Sequence, residues 1–495
     1  MSAFNYRKLA FALPLVLGLA SCDKGFEGLN KNPNNPETAN PAYVLTNAER
    51  QNIFRLFDVP AAQDGSQLIV QHWAKVQYTN EDRYSFRPAS YQSIWDGFYS
   101  QGLQDFNDII RQGKAQNNPN YQAVGMIMRT YFFSVLTDIY GDIPYSEAGR
   151  LADNIITPKY DKQEDIYTGM IAELKTASAL INTSGADISG DEIYFGDMAA
   201  WKKFANSLRL RLAMRIADAN STLSQSAAAE ALAAGVFTSN ADNAQFNFLP
   251  ASPNNNPVNE NRKTRDDHRV SRTLVQRLLK LNDPRIAVYA NHPECGDASA
   301  PYGDSTNTYR GVRNGLTNAQ ATGLGPFCAT SKVGDYFTAG DAPGVLMTYA
   351  EVLFFKAEAL ARGTYGITGD ATTEYKNAIT ASMEQYGISA ADIATYLAQP
   401  AVNVTVTGTN FKQAIGEQKW IALFGQGNEA WSEYRRLDYP VLPLPRNPVA
   451  AAGGKIPVRF PYPANEQSVN QASYAAAVAR QGADGLTTKL WWDKN

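Results

Sequence analysis

The sequence predicts an all-α fold, in which tetratricopeptide-like helical hairpins form a scaffold beside a less regular, loop-rich lobe. Apolar residues recur at steps of three and four through most of the chain, as on the buried face of an amphipathic helix. Strand-like alternation of apolar and polar residues is scarce. The predicted helices follow one another in pairs with a period of roughly 35 residues, which is typical of tetratricopeptide-like stacking, although no consensus repeat is readable.

The composition is that of a globular protein with a large core. Of the 495 residues, 44% are hydrophobic and 19% are charged, which excludes a mostly disordered chain. Lys and Arg total 45 against 48 Asp and Glu, so the formal net charge is −3. A chain without a basic excess is not expected to bind nucleic acid.

The N-terminus predicts an exported protein that is anchored by lipid. A positively charged start precedes an apolar segment, residues 9–19, which is shorter than the ~20 residues that a bilayer-spanning helix needs. The segment ends in Leu-Ala-Ser-Cys at residues 19–22, which resembles a bacterial lipobox. We therefore expect a signal peptide over residues 1–21 and a lipid on Cys22, with a flexible Asn- and Pro-rich leash over residues 22–41. An ordinary secretory signal with an unrelated cysteine is the alternative.

Residues 42–495 are expected to form a single body. The clearest amphipathic patterns cover residues 121–139, 201–216 and 346–360, each with one apolar stripe. Further helices are predicted near residues 42–57, 64–79, 90–112, 162–182, 371–386, 409–437 and 468–480. The Pro-rich segment 440–463 is expected to form a short hairpin or an extended segment.

Two glutamates accompany the last of these stripes. Glu351 and Glu358 are seven residues apart and therefore lie on roughly one helix face. If that face is buried, both carboxylates need cationic partners. An earlier predicted helix offers Arg209, Arg211 and Arg215.

Two regions, residues 236–270 and 286–343, interrupt the helical pattern. Both are polar and rich in Gly, Asn and Pro, and loops of this length in a compact domain are commonly functional or disordered. We expect an irregular lobe over about residues 236–343 that offers a binding surface. Cys295 and Cys328 lie in it, where an exported compartment permits a disulfide between them; two free buried thiols are the alternative.

The chain lacks the patterns of the common catalytic and cofactor sites. It has three histidines and no nucleophile elbow, zinc-protease, phosphate-loop or dinucleotide-binding pattern. His292 and Cys295 supply only half of a metal site, and the acidic turn at residues 187–192 lacks the spacing of a calcium loop. We therefore predict no catalytic residue, no cofactor and no metal. A glycoside hydrolase needs only a pair of carboxylates, so this class of enzyme stays open.

Several short segments, taken in order, resemble one known family. They cover residues 91–99, 105–107, 136–145, 201–211, 282–285, 349–359, 457–463 and 490–493. The most recognisable reads Leu-Thr-Asp-Ile-Tyr-Gly-Asp-Ile-Pro-Tyr and begins at Leu136. Each segment alone is weak, but their order after the lipobox-like start resembles the SusD/RagB family of outer-membrane nutrient-binding lipoproteins.

This resemblance implies a scaffold of four tetratricopeptide units with a less regular second lobe. It implies a non-catalytic protein that captures oligosaccharides, or peptides in some members, and delivers them to a SusC-like TonB-dependent outer-membrane transporter. It also implies attachment to the outer membrane through the lipid anchor only, with the body exposed at the cell surface. The alternatives are a surface glycoside hydrolase and a helical-repeat scaffold that binds no small ligand.

No family motif identifies the ligand residues, so the predicted site rests on composition. Sugar rings stack on aromatic side chains, and polar side chains bind the hydroxyl groups. A first group interleaves aromatic and polar side chains: Trp73, Tyr78, Arg83, Tyr84 and Phe86. A second group lies in the long second loop: Tyr302, Tyr309 and Arg310. The alternative for Trp73 and Tyr78 is that they pack between helices.

Overall fold

The computed structural model describes residues 39–150, 154–295 and 309–494. The signal peptide, the lipid on Cys22, most of the leash and Tyr302 lie outside these ranges and stay predictions. Within them the chain is mostly helical, which confirms the predicted all-α class. The described strands form three two-stranded antiparallel sheets.

The elements follow in chain order. The α-helices are α1 Pro41–Phe57, α2 Gln67–Ile69, α3 Pro88–Gly97, α4 Gln104–Ala115, α5 Pro119–Tyr140, α6 Gln163–Leu180, α7 Met198–Arg215, α8 Ser221–Ala234, α9 Pro257–Arg262, α10 Arg272–Lys280, α11 Ile286–Tyr289, α12 Asn318–Thr322, α13 Asp335–Thr338, α14 Tyr349–Arg362, α15 Ala371–Glu384, α16 Ala390–Leu397, α17 Phe411–Ala422, α18 Gly427–Leu437, α19 Glu466–Val469 and α20 Gln471–Gln481. The strands are β1 Trp73–Lys75, β2 Ile143–Pro144, β3 Tyr160–Asp161, β4 Ala244–Phe246, β5 His268–Val270 and β6 Gly344–Met347. Two π-helical stretches, Val59–Ser66 and Phe98–Leu103, precede α2 and α4.

Consecutive helices pack against each other as hairpins, as predicted. In the first half, α4 packs on α5, α5 on α6, α6 on α7 and α7 on α8. Near the C-terminus, α14 packs on α15, and α17 packs on both α14 and α18. We refer to these helices together as the helical layer.

Local signals set the limits of the longest helix. α5 begins at Pro119, directly after Asn118, whose side chain accepts hydrogen bonds from the backbone N–H groups of Asn120 and Tyr121. It ends before Gly141, whose φ of 90° only glycine adopts readily. These capping signals and the amphipathic pattern all act within a few residues. The helix could therefore be predicted from the local sequence.

The predicted helix over residues 64–79 is wrong in its second half. Helix α2 ends at Ile69, and Trp73–Lys75 forms β1, which pairs antiparallel with β5, His268–Val270. The periodicity of a local window carries no information about a strand partner this distant in sequence.

Other boundaries also differ from the predictions. The predicted helix over residues 409–437 is two helices, α17 and α18, because the chain turns between them at Gly425, where φ is 87°. The region 90–112 contains a π-helical stretch between α3 and α4. Helix α8 was not predicted, since it is rich in alanine and offers few large apolar residues to form a stripe. Helices α10 and α16 were also not predicted, although each is short and has one apolar face. Segment 440–463 follows the extended alternative and holds no described strand.

Buried ion pairs join helices that are far apart in sequence. Nε of Arg211 on α7 lies 2.6 Å from Glu351 on α14, as predicted. Glu358 instead binds Arg436 on α18, at 2.6 Å. The other two predicted arginines pair with different glutamates. A buried pair is costly to break from one side, because the remaining charge stays buried without a partner.

One continuous apolar core extends from Leu45 to Trp492. At its centre, the buried carboxylate of Asp138 accepts a hydrogen bond of 2.9 Å from Nε1 of Trp492 and lies 3.4 Å from Nε of Arg215. Burial raises the pKa of Asp138, and the charge of Arg215 opposes that rise. The C-terminal segment is therefore held to the helical layer through α5 and α7.

Candidate functional site

The first predicted group of site residues begins in β1. Trp73 pairs with Val270 and Lys75 pairs with His268. Beyond the strand the chain turns at Tyr78, whose φ of 50° lies in the left-handed region. The turn leaves the Tyr78 side chain 50% exposed.

A buried ionic cluster lies under this turn. Nζ of Lys75 is 2.8 Å from Asp64 and 3.3 Å from Asp267, and Nε2 of His268 is 2.8 Å from Asp64. Burial by itself raises the pKa of Asp64, but the hydrogen bond and charge of His268, together with Lys75, outweigh it and hold that pKa well below its usual range. The ionised cluster fixes β1 against β5.

A second buried carboxylate, Asp82, ties the turn to the loop-rich lobe. It accepts hydrogen bonds from the backbone N–H groups of Lys75 at 3.3 Å and Gly315 at 3.0 Å, and from Nδ2 of Asn314 at 2.7 Å. Burial raises the pKa of Asp82 to about 6, and these hydrogen bonds oppose the rise. Further along, the backbone N–H of Thr79 donates to the side chain of Asn318 at 3.1 Å.

Three aromatic groups lie at the surface of this region. The guanidinium of Arg265 lies over the ring of Tyr78, 4.9 Å from its centroid. The rings of His292 and Tyr309 stack with their centroids 4.3 Å apart. Phe327 is 41% exposed. We call Tyr78, His292, Tyr309 and Phe327 the aromatic face.

Ion pairs connect the members of the aromatic face. Asp266, next to Arg265, binds Arg269 at 3.2 Å and Lys332 at 3.2 Å. The guanidinium of Arg269 lies 5.6 Å from the centroid of the Phe327 ring. Lys332 also binds Glu294 at 2.9 Å. These contacts place charged groups between the aromatic side chains.

The two cysteines form a disulfide, which confirms the predicted pairing. It joins Cys295, close after His292, to Cys328, the neighbour of Phe327. The backbone N–H of Glu294 also donates to the carbonyl oxygen of Cys328, at 2.9 Å. The disulfide therefore holds together two of the loops that carry the aromatic face.

The structure separates the predicted residues into buried and exposed ones. Trp73 and Tyr84 are each only 2% exposed, so neither ring presents a face to solvent, and neither belongs to the exposed candidate site. Trp73 packs against His268 with ring centroids 5.6 Å apart, so it is a packing residue, although in a strand and not between helices. Tyr78 does not follow that alternative, because half of it is in solvent.

The remaining predicted residues are half-buried. Phe86 packs against Phe460, with ring centroids 5.1 Å apart. Nε of Arg83 donates to the carbonyl oxygen of Asn447 at 3.0 Å. Phe86 therefore packs against the core, and Arg83 binds the loop at residue 447. Arg310 follows Tyr309, and its backbone N–H donates to Oγ of Ser331 at 2.8 Å.

Two members of this surface were missed by the sequence analysis. Arg265 and Phe327 lie in the two long polar regions that were predicted to offer a binding surface, but nothing local distinguishes them from their neighbours. His292 was considered only as half of a metal site. In the part of the chain that the structure describes, no group of three or more His, Cys, Asp or Glu side chains is arranged to hold a metal ion.

A family model described as "Starch-binding associating with outer membrane", of the SusD-like type, matches residues 33–463. The chain belongs to the SusD-like family. The resemblance inferred from the ordered segments is thereby confirmed. No similar sequence was found among proteins of curated function.

Solved structures of SusD-like proteins have the same fold. One, a chitin-binding protein, is 32% identical with a TM-score of 0.81, over 92% of this chain and 100% of that one. A chitin-binding SusD homologue from Flavobacterium johnsoniae is 28% identical with a TM-score of 0.80, over 92% and 99% of the two chains. A SusD homologue from Bacteroides uniformis is 26% identical with a TM-score of 0.80, over 92% and 100%.

The SusD-like fold of this chain contains no described helix that combines the length and apolar character needed to cross a membrane. The family description nevertheless associates these proteins with the outer membrane.

Proposed function

We propose that this SusD-like protein is a non-catalytic lipoprotein of the outer membrane that binds an oligosaccharide at the aromatic face. The family description as starch-binding and the two chitin-binding structures support a carbohydrate ligand. The observation that carries the proposal is the exposed ring of Tyr78 with Arg265 beside it, on a surface that also holds Phe327 and the His292–Tyr309 stack.

The chemistry of the aromatic face suits a sugar. The C–H groups of a pyranose ring pack on exposed aromatic rings, and Tyr78 and Phe327 are exposed. The hydroxyl and amide groups of the sugar need hydrogen-bond partners, which Arg265, Glu294 and His292 supply. Because the ion pairs below these residues already hold the loops, little ordering is needed when the ligand binds.

We further propose that the bound sugar is delivered to a SusC-like TonB-dependent transporter, and that the lipid on Cys22 holds the protein at the cell surface. Both steps follow from family membership and from the lipobox-like sequence. Replacing Cys22 with Ser should release the protein from the membrane fraction. A protein that stays in the membrane after Cys22→Ser would contradict the anchor.

Calorimetry with chitohexaose and maltohexaose tests the binding step. The protein is the mature chain with Cys22→Ser, and each mixture is analysed by chromatography for shorter sugars. We expect saturable binding of at least one sugar, which is recovered intact. Cleavage of the sugar would favour the glycoside hydrolase alternative, and binding of neither would favour a peptide ligand or the scaffold alternative.

Tyr78→Ala and Tyr43→Ala form a matched pair for locating the site. Tyr43 lies on α1 and is 76% exposed, so replacing it, like replacing Tyr78, does not expose the apolar core. We expect Tyr78→Ala to weaken sugar binding at least tenfold and Tyr43→Ala to leave it within twofold. Equal affinities of the two variants would exclude Tyr78 from the site.

A further inference from the structure

A groove of about 400 Å³ lies at the N-terminal end of α4 and uses no residue of the aromatic face. It lies between α3 with the π-helical stretch that follows it, residues 147–149 and 155–158 after β2, and α19. Its described lining is Trp95, Asp96, Tyr99, Ser100, Gln104, Pro144, Glu147, Ala148, Gly149, Ile155, Ile156, Pro158, Glu466, Val469 and Asn470.

The groove combines an aromatic base with exposed aliphatic side chains. Trp95 and Tyr99 pack together at the base, with ring centroids 4.9 Å apart. Ile156 is 76% exposed and Val469 is 65% exposed. Single exposed aliphatic residues are common, but several around one concave surface are typical of a place where another protein binds.

The charged side chains in the described lining of the groove all have the same sign. Asp96, Glu147 and Glu466 are carboxylates, and the described lining includes no Lys, Arg or His. Glu466 accepts a hydrogen bond from the hydroxyl of Tyr160 at 2.5 Å, and Asp96 accepts one from Nε2 of Gln92 at 2.5 Å. Among the described residues, neither carboxylate forms an ion pair. Burial raises the pKa of Glu466, the hydrogen bond from Tyr160 opposes that rise, and the charge of Asp96 adds to it.

We propose that this groove binds a segment of a partner protein that inserts an aliphatic side chain beside Ile156 and Val469 and places a Lys or Arg against the carboxylates. A cationic group would relieve the repulsion between Asp96 and Glu466, while an apolar side chain would cover the exposed aliphatic surface. A purely apolar segment would leave the carboxylates less solvated and still unpaired, so it is disfavoured.

Fluorescence anisotropy with short synthetic peptides tests the chemistry of the occupant. The protein is the mature chain with Cys22→Ser, and the probe is a fluorescein-labelled hexapeptide of alternating leucine and lysine. We expect saturable binding that weakens as salt increases. Two matched hexapeptides, with glutamate for lysine or serine for leucine, should bind at least tenfold more weakly. Absence of binding by the leucine–lysine peptide, or equal binding of all three, overturns the proposal.

Paired variants locate the binding in the groove. Val469→Ser should weaken the binding of the leucine–lysine peptide at least fivefold. Val441→Ser changes another exposed valine, which is 76% exposed, and should leave the affinity within twofold. Asp96→Asn combined with Glu147→Gln should also weaken it at least fivefold, whereas Asp187→Asn, on an exposed loop, should not. If groove and control variants behave alike, the peptide binds elsewhere and the proposal fails.

The two proposals can fail separately. We expect the groove variants to leave the titration with chitohexaose or maltohexaose unchanged and Tyr78→Ala to leave peptide binding unchanged. The substituted groove side chains are at the surface. The groove variants should therefore unfold at the same temperature as the parent protein. A groove variant that also loses sugar binding would show that the groove is not a separate site.

Discussion

The helical layer and the aromatic face use their aromatic side chains in opposite ways. In the helical layer, Trp201 and Trp431 are fully buried and fill the core between helices. At the aromatic face, Tyr78 and Phe327 are exposed, each with an arginine over its ring. The abundance of aromatic residues therefore says little about binding until burial is known, because the same residue types build the core and the candidate site.

Both regions hold buried charges by ion pairs, but one carboxylate beside the lobe is held in another way. In the helical layer, Glu351 and Glu358 are each held by an arginine of another helix. Beside the lobe, Lys75 and Asp64 form a buried ion pair, whereas Asp82 is held by backbone N–H groups and an asparagine, without an ion pair among the described residues. We therefore expect both regions to depend on buried polar contacts for their stability, and the lobe to depend in addition on its disulfide.

Replacing Arg211 with Met gives the largest expected effect. Glu351 would be left buried without its partner, which should lower the free energy of unfolding by about 3–5 kcal/mol. Urea unfolding followed by circular dichroism measures the change. Adding Glu351→Leu should recover part of the loss, because no unpaired charge then remains.

Lys175→Met is the matched control for this ion pair. Lys175 binds Glu230 at 2.8 Å, but both side chains are largely in solvent. We expect a loss below about 1 kcal/mol. A similar loss for Arg211→Met and Lys175→Met would contradict the structural importance given to the buried pairs.

Removing the disulfide with Cys295→Ala and Cys328→Ala tests the corresponding dependence of the lobe. The cysteines are separated by 33 positions, and opening a loop of that size costs about 4 kcal/mol through the entropy of the unfolded chain. We also expect weaker sugar binding, because both joined loops carry aromatic residues. Unchanged affinity in calorimetry would show that the face keeps its shape without the disulfide.

Asp82 should make the stability of the protein depend on pH. Burial raises its pKa to about 6 in the folded protein, whereas an unfolded Asp has a pKa of about 3.9. The folded state then holds more protons between these values, so Asp82 destabilises the fold as the pH rises, by about 2 kcal/mol between pH 4 and pH 6 and by about 3 kcal/mol in total, and the effect levels off above about pH 7.

The measurement is the difference in unfolding free energy between the parent protein and Asp82→Asn across this pH range. Taking the difference cancels the other carboxylates, and the variant removes the titration whatever its own stability. We expect the parent to lose stability relative to the variant between pH 4 and pH 6. A parallel pH dependence of the two proteins would show that the pKa of Asp82 is close to its ordinary value.

The smallest expected effect is that of Phe327→Ala on sugar affinity. If Phe327 supports the sugar beside Tyr78, its loss should weaken binding about fivefold, or about 1 kcal/mol. The stability should hardly change, because the side chain is exposed. Phe195→Ala is the control, since Phe195 is also largely exposed and lies outside the lobe. Equal affinities would restrict the site to the remaining members of the aromatic face.

Local sequence signals predicted most of the helical layer. The stripe over residues 349–360 and the Pro and Asn that start α5 act within a few residues, so periodicity and capping suffice to identify those helices. The need of Glu351 for an arginine was also foreseeable, because a buried carboxylate demands a partner. The pairing of Glu358 with Arg436 could not be foreseen, because it depends on how α14 and α18 pack in space.

Only the tertiary structure decided the candidate site. Trp73 and Tyr78 are five positions apart in one segment of mixed aromatic and polar residues, and composition treats them alike. Pairing of β1 with β5 buries Trp73, and the turn that follows leaves Tyr78 exposed beside Arg265, far away in sequence. The sequence by itself determined most of the longer helices and the family, since both depend on local order along the chain. Exposure depends on which distant segments cover a side chain, and this is determined by the packing of the whole molecule.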